Sequence, residues 1–197
     1  MRRLLFAALT IALLLPNRAS AQKAYAVDAG SMIADGSAGF SSSGGDLYQR
    51  RGNGEDIGRR TSISISPSIA YFAAPHLALG GTISYNRTSQ DETSQTFFGI
   101  GPTVAWFFGN AGSRTFPFVR ASYLYGRSRF DDDFSVSQNN FKFSAGAAFM
   151  LAKNVALTSN AFYTIENLKN ESTSFGSSGS TDGNIFGVEF GIAAFVF

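Results

Sequence analysis

The sequence predicts an all-β protein: an eight-stranded antiparallel up-and-down transmembrane β-barrel, preceded by a cleaved signal peptide. Three observations lead there. Period-two alternation recurs eight times along the chain. The connections between those segments alternate between short and long. Charged side chains are nearly excluded from the segments themselves. The stretch SISISPSIAYF, 62–72, shows the alternation most plainly, with serine at every second position and Ile63, Ile65, Pro67 and Ile69 between. Successive strand side chains point to opposite faces, so this strand has one apolar and one polar face.

The chain opens MRRLLFAALTIALLLPNRASAQ. Arg2 and Arg3, an apolar run over 4–15 and the small residues Ala19-Ser20-Ala21 make a secretory leader over 1–21, leaving one barrel domain over 22–197. The apolar run is too short to span a bilayer as a helix. Three of the 16 basic residues, Arg2, Arg3 and Arg18, lie in the leader, so residues 22–197 carry 13 basic against 14 acidic. The basic balance is therefore partly the leader's, and it gives no reason to expect nucleic acid as a partner. With no cysteine in the chain, neither disulfides nor a lipid-modified cysteine are expected.

The first strand is the weak alternation at 31–43, and the second is 62–72. The third, 77–86, sets Leu77, Leu79, Ile83 and Tyr85 on one face; the fourth, 96–108, sets Phe98, Ile100, Val104 and Trp106 there. The fifth, 116–127, offers Val119, Ala121, Tyr123 and Tyr125, and the sixth, 140–150, offers Phe141, Phe143, Ala145, Ala147 and Phe149. The seventh, 155–165, offers Val155, Leu157, Ala161, Tyr163 and Ile165; the eighth runs from 184 to the terminus. Short connections fall at 73–76, 109–115 and 151–154, and long polar ones at 44–60, 87–95, 128–139 and 166–183. An even strand count with short turns at one end and long loops at the other is the layout of an outer-membrane barrel, with both termini periplasmic and the long loops extracellular.

Charge decides which face looks inward. A soluble sandwich carries Lys, Glu and Arg on its wet face. Here the polar faces are Ser, Thr, Gly, Ala and Asn, and the second, third, fourth and seventh strands hold no charge. The apolar faces are therefore expected to meet lipid. Aromatics support this. Tyr71, Trp106, Phe108, Phe116, Phe149 and Phe197 gather toward the short-turn end. Tyr85, Tyr123, Tyr125 and Tyr163 gather toward the long-loop end. Two aromatic girdles flanking an apolar band mark the membrane interfaces. Pro67 and Pro102 fall inside strands, where a missing N–H predicts bulges or bends. In the last strand Phe186, Val188, Phe190 and Ile192 share a face that excludes Phe195 and Phe197, so a bulge near Ala193 and Ala194 is expected to restore an outward Phe197.

The stretch SPSIAYFAAPHLALGGTISY, 66–85, and the terminal AAFVF resemble bacterial outer-membrane β-barrel domain proteins of the small eight-stranded kind. The resemblance implies an outer-membrane location, contact with outer-membrane lipid and lipopolysaccharide, and recognition of the last strand by the barrel assembly machinery. It carries no activity and no catalytic residue, because that group includes adhesins, small-solute pores and proteins without an assigned role.

Little chemistry is legible. His76 is the single histidine and stands in a predicted short turn, with no positioned partner in sight. Nothing calls for a cofactor or a metal. The aspartates 131–133 match no calcium loop, and Arg50, Arg51, Arg59 and Arg60 flank the first long loop, where they suit solvent or lipopolysaccharide phosphates. The sequons at Asn86 and Asn170 are short matches of no weight. The constellation worth following is lumenal. Asp35, Arg120, Lys142 and Glu189 alternate against outward neighbours and are expected to point inward, Lys142 toward Glu189 and Arg120 toward Asp35. An eight-stranded barrel is just wide enough for side chains to fill it. The expectation is thus a monomeric, non-enzymatic barrel with a structural or surface-interaction role through its long loops. A narrow passive channel for small or apolar solutes is the alternative.

Overall fold

The computed structural model describes residues 26–44, 60–90, 93–110, 112–130, 135–169 and 180–197. The expected leader, most of the first long loop, the aspartates 131–133 and Asn170 lie outside the described residues. Eight strands close into one all-antiparallel barrel in sequence order. They are β1 Met32–Gly44, β2 Arg60–Ala74, β3 Leu77–Gln90, β4 Thr93–Phe107, β5 Thr115–Phe130, β6 Ser135–Ala152, β7 Val155–Lys169 and β8 Ser180–Val196. Closure comes from β1 pairing with β8, Met32 opposite Val196 through Gly44 opposite Asn184.

The alternation of β2 resolves as lipid-out. Ile63, Ile65 and Ile69 are 66%, 54% and 55% exposed, whereas Ser62, Ser64 and Ser66 are 4%, 5% and 7% exposed. The same holds around the barrel: Phe98, Ile100, Phe143, Phe186, Phe190 and Ile192 all face outward. Such a contiguous apolar exterior is far beyond what a soluble monomer displays. Placing each such side chain in lipid is worth on the order of 1.5–3 kcal/mol. Tyr71, Trp106, Phe108, Phe149 and Phe197 stand exposed toward the short-turn end, with Tyr85, Tyr123, Tyr125 and Tyr163 above them.

The structure departs from the sequence reading in four places. Phe116 is 2% exposed and belongs to the interior, not to a girdle. The last strand has no bulge at Ala193 and Ala194; its ladder to β1 and β7 is continuous there, and Phe195 points inward at 1% exposure. Phe197 lies just beyond β8, 37% exposed, with Lys153 Nζ 5.5 Å from its ring centre. The prolines produce no register shift either. Pairing lapses between Ile65–Tyr85 and Ser68–Thr82 at Pro67, and between Ile100–Tyr125 and Thr103–Ser122 at Pro102, then resumes in the same register. The bulges fall instead at Phe72/Ala74 and Met150/Ala152, beside short turns. Finally, much of the expected loops 87–95 and 128–139 is strand. β3 and β4 pair out to Gln90 opposite Thr93, and β5 and β6 to Arg129 opposite Ser135. About 9–11 tilted residues suffice to cross a bilayer, so strands of 14 to 18 residues such as β3, β5 and β6 extend well past it.

Candidate functional site

Among the described residues the interior is where buried polar chemistry assembles, and it is built in three layers. The layer at the short-turn end is apolar. Phe72, Phe107 and Phe195 are at most 1% exposed, and Phe116 and Phe118 join them. Ring centres lie 5.4 Å apart for Phe72–Phe107 and for Phe107–Phe118, and 6.5 Å for Phe72–Phe195. The segment ahead of β1 seals this floor. Gly30 N donates to Phe72 O at 2.9 Å, and Phe72 N donates to Ser31 O at 2.9 Å. His76 N donates to Val27 O at 2.8 Å, and Val27 is fully buried.

The middle layer holds the charges. Arg120 Nη2 lies 2.7 Å from Asp35 Oδ2, with side-chain exposures of 15% and 4%. β1 and β5 stand on opposite sides of an eight-stranded ring, so this pair spans the lumen. Ser68 Oγ donates to Asp35 Oδ1, and the Arg120 guanidinium sits 5.4 Å from the Phe118 ring centre. Lys142 pairs with Glu189 and also lies 4.4 Å from the ring centre of Phe162, on the strand between them. Gly39 makes this possible: a Cβ there would stand 2.6 Å from Glu189 Cγ. Buried charges are tolerable only when paired and hydrogen-bonded, and these four meet that condition.

The third layer, toward the long loops, is a chain of neutral and acidic side chains. Gln95 Nε2 donates to Ser128 Oγ at 3.3 Å, and Ser128 Oγ donates to Gln138 Oε1 at 2.5 Å. Gln138 Nε2 donates to Asn140 Oδ1 at 2.8 Å, and Asn140 Nδ2 to Glu166 Oε1 at 3.2 Å. The sequence reading missed this chain because Gln95, Ser128, Gln138 and Glu166 fell in stretches taken as loops. Their only signal is a weak one, polar residues at alternate positions continuing beyond the apolar band. A cavity of about 30 Å³ lies beside Ser64, Asn140, Lys142 and Glu166, and one of about 10 Å³ beside Asn86, Gln95 and Gln138. The first has room for about two water molecules. It adjoins Ser64 Oγ and Glu166 Oε2, which have no hydrogen-bond partner among the described residues.

The described interior thus carries an ion pair between opposite strands above a layer of phenylalanines. Among the described residues no group of three His, Asp or Glu side chains could hold a metal ion. His76 sits in the β2–β3 turn with φ of 71°, its ring 6.0 Å from that of Trp106.

The comparisons bear on the fold. No protein-family model matches the sequence, and no curated protein matches it either. Solved structures do. Neisserial surface protein A superposes with a TM-score of 0.62 at 15% identity, over 84% of this chain and 98% of that one. Ail, the attachment invasion locus protein of Yersinia pestis, gives 0.52 at 12% identity, over 85% and 99%. The same protein in complex with the heparin analogue sucrose octasulfate gives 0.51 at 12% identity, over 85% and 99%. The chain has the fold of the small outer-membrane β-barrels. At these identities the likeness concerns architecture alone, and this barrel's lumen and rim must be read from its own residues.

Proposed function

We propose that this is a non-enzymatic outer-membrane barrel with a closed lumen, acting as a structural or surface-interaction protein through its extracellular loops. The observation that carries this reading is the lumen-spanning Arg120–Asp35 pair standing on a sealed phenylalanine floor. A solute entering from the long-loop side meets the chain from Gln95 to Glu166, then the Lys142–Glu189 pair, then this pair, then Phe107 and Phe195. The membrane placement is supported by the charge-free apolar band of β2, β3, β4 and β7, and by the girdles at its edges. The short turns and the segment leading into β1 are assigned to the periplasmic side, and the connections at 45–59 and 170–179 to the cell exterior, where they are the surface available to partners. The barrel is assigned as a monomer, delivered by the assembly machinery that reads the last strand.

The test has two arms. Proteoliposomes carrying the barrel should swell no faster in glycerol or arabinose than empty liposomes. Protease added to intact cells should cut within 45–59 or 170–179 and leave the strands whole. Swelling above the empty control would overturn the closed lumen; cleavage only after the outer membrane is breached would overturn the orientation. The specific observation favouring the alternative, a narrow passive channel, is the small polar cavity beside Lys142 and Glu166, and the swelling assay separates the two readings.

A further inference from the structure

On the outer surface, at the long-loop edge of the apolar band, three arginines stand together. Arg87 on β3 pairs in register with Thr96 on β4, and Thr96 pairs with Arg129 on β5. Adjacent strands lie about 4.8 Å apart, so the two arginine backbones are separated by about 10 Å. Arg127 lies one outward step lower on β5, opposite Phe98. All three side chains are exposed, and among the described residues none makes an ion pair. The outward carboxylate described on this half of the barrel, Asp182, is on β8 and accepts a hydrogen bond from Asn167 at 2.5 Å. Among the described outward side chains of this half, the positive charge is thus concentrated on β3–β5.

Below the arginines the same strands carry an apolar furrow of about 420 Å³, lined by Leu79, Val104, Ala121, Tyr123, Phe141 and Phe143. It adjoins a second, of about 560 Å³, that shares Val104, Ala121 and Phe143 and continues past Ala145 and Ala161. The floor is low because Ala121, Ala145 and Ala161 stand between aromatic neighbours. Ala121 is six residues below Arg127 on β5. At a rise of about 3.4 Å per residue that is roughly 20 Å along the strand, or about 15 Å of depth once strand tilt is allowed for. Half of a hydrocarbon core about 30 Å thick is the same depth.

We infer that the β3–β5 exterior binds a membrane lipid whose headgroup carries a phosphate monoester, with Arg87, Arg127 and Arg129 on that phosphate and an acyl chain laid into the furrow above Ala121. Guanidinium groups recognise phosphate oxygens through paired, charge-assisted hydrogen bonds. At the membrane rim they meet that phosphate at a fixed height. The furrow and the arginines lie one leaflet apart on the same strands, as one amphipathic molecule requires. The inference rests on the membrane placement proposed above but not on the closed lumen.

The test uses the full barrel in phosphatidylcholine vesicles and exploits its single tryptophan. Trp106→Phe removes the native fluorophore. Phe141→Trp then reports from the furrow, and Phe190→Trp from β8 as a control. Quenching by brominated phosphatidic acid is compared with quenching by brominated phosphatidylcholine. The expected preference for phosphatidic acid is roughly five- to ten-fold at position 141 and close to one at position 190. It should fall toward one in 1 M salt, where the Debye length is about 3 Å, and in the R87Q/R127Q/R129Q variant. If that variant does not fold, shown by loss of its heat-dependent gel shift, R127Q/R129Q takes its place. Equal preference at both reporters, or a preference that survives salt and the arginine changes, would overturn the site. Ala121→Phe should reduce the preference at position 141 at least two-fold; an unchanged ratio would remove the furrow from it. Loss of the lipid preference leaves the swelling result untouched, and swelling with the preference intact indicts only the closed lumen.

Discussion

Replacing Glu189 by alanine removes the carboxylate that Lys142 reaches across the interior. Breaking a fully buried ion pair by deleting one partner costs about 3–5 kcal/mol, because the other charge is left uncompensated. Two features of this site reduce that figure. Lys142 keeps its place 4.4 Å from the ring centre of Phe162, an interaction worth about 2 kcal/mol when desolvated. It also borders the cavity of about 30 Å³ that Glu166 and Ser64 share, through which solvent can reach the ammonium. The expected loss for Glu189→Ala is therefore about 2–3 kcal/mol, and that for Glu189→Gln smaller, since the amide oxygen still accepts from Nζ. The assay is reversible urea unfolding in lipid vesicles of Glu189→Ala, Lys142→Ala and the double variant, followed by the gel shift between folded and unfolded barrel. The account expects a coupling energy of at least about 1.5 kcal/mol. Additivity within about 0.5 kcal/mol would refute the reasoning, because residues that do not interact add.

Three further outcomes follow from the same geometry. Phe107→Ala, which empties the centre of the phenylalanine floor, should destabilise the barrel by about 3–5 kcal/mol in the same urea assay. Ile65→Arg, on the lipid face, should cost about 2–4 kcal/mol, less the nearer the residue lies to an interface, whereas Ser64→Ala on the lumen side should cost under 1 kcal/mol. Since the chain has no cysteine, Ile69→Cys and Ser66→Cys can be compared directly. A membrane-soluble maleimide should label the first and spare the second, and labelling of position 66 alone would mean that β2 faces the other way.

Much of this fold is legible because one physical asymmetry dominates it. Where a strand crosses lipid, an outward residue must be apolar and an inward one is free to be polar, so Ile63-Ser64-Ile65-Ser66 declares both faces at once. Where that asymmetry fades, so does the signal. Near the short turns both sides are apolar. In AWFFG, 105–109, Ala105 and Phe107 point inward while Trp106 and Phe108 point out, and hydrophobicity alone cannot separate them. The phenylalanine floor was hidden for that reason, and Phe116 and Phe195 with it. Beyond the membrane the outward face is polar as well. There Arg129, Ser135 and Ser137 sit in strands that read as loop, because ladder hydrogen bonds need no apolar side chains. Counting by twos sets the direction of Asp35, Arg120, Lys142 and Glu189, but which of them meet depends on barrel stagger, which the spacing of residues along one strand does not contain.

The measurement that bears most directly on the closed, charge-braced lumen is single-channel recording in planar bilayers, with the wild type beside the Asp35→Ala/Arg120→Ala double variant. The account predicts a silent wild type at moderate voltage, and a double variant that remains silent or flickers only briefly, because the phenylalanine floor persists beneath the missing pair. Stable wild-type openings of one reproducible size would contradict it.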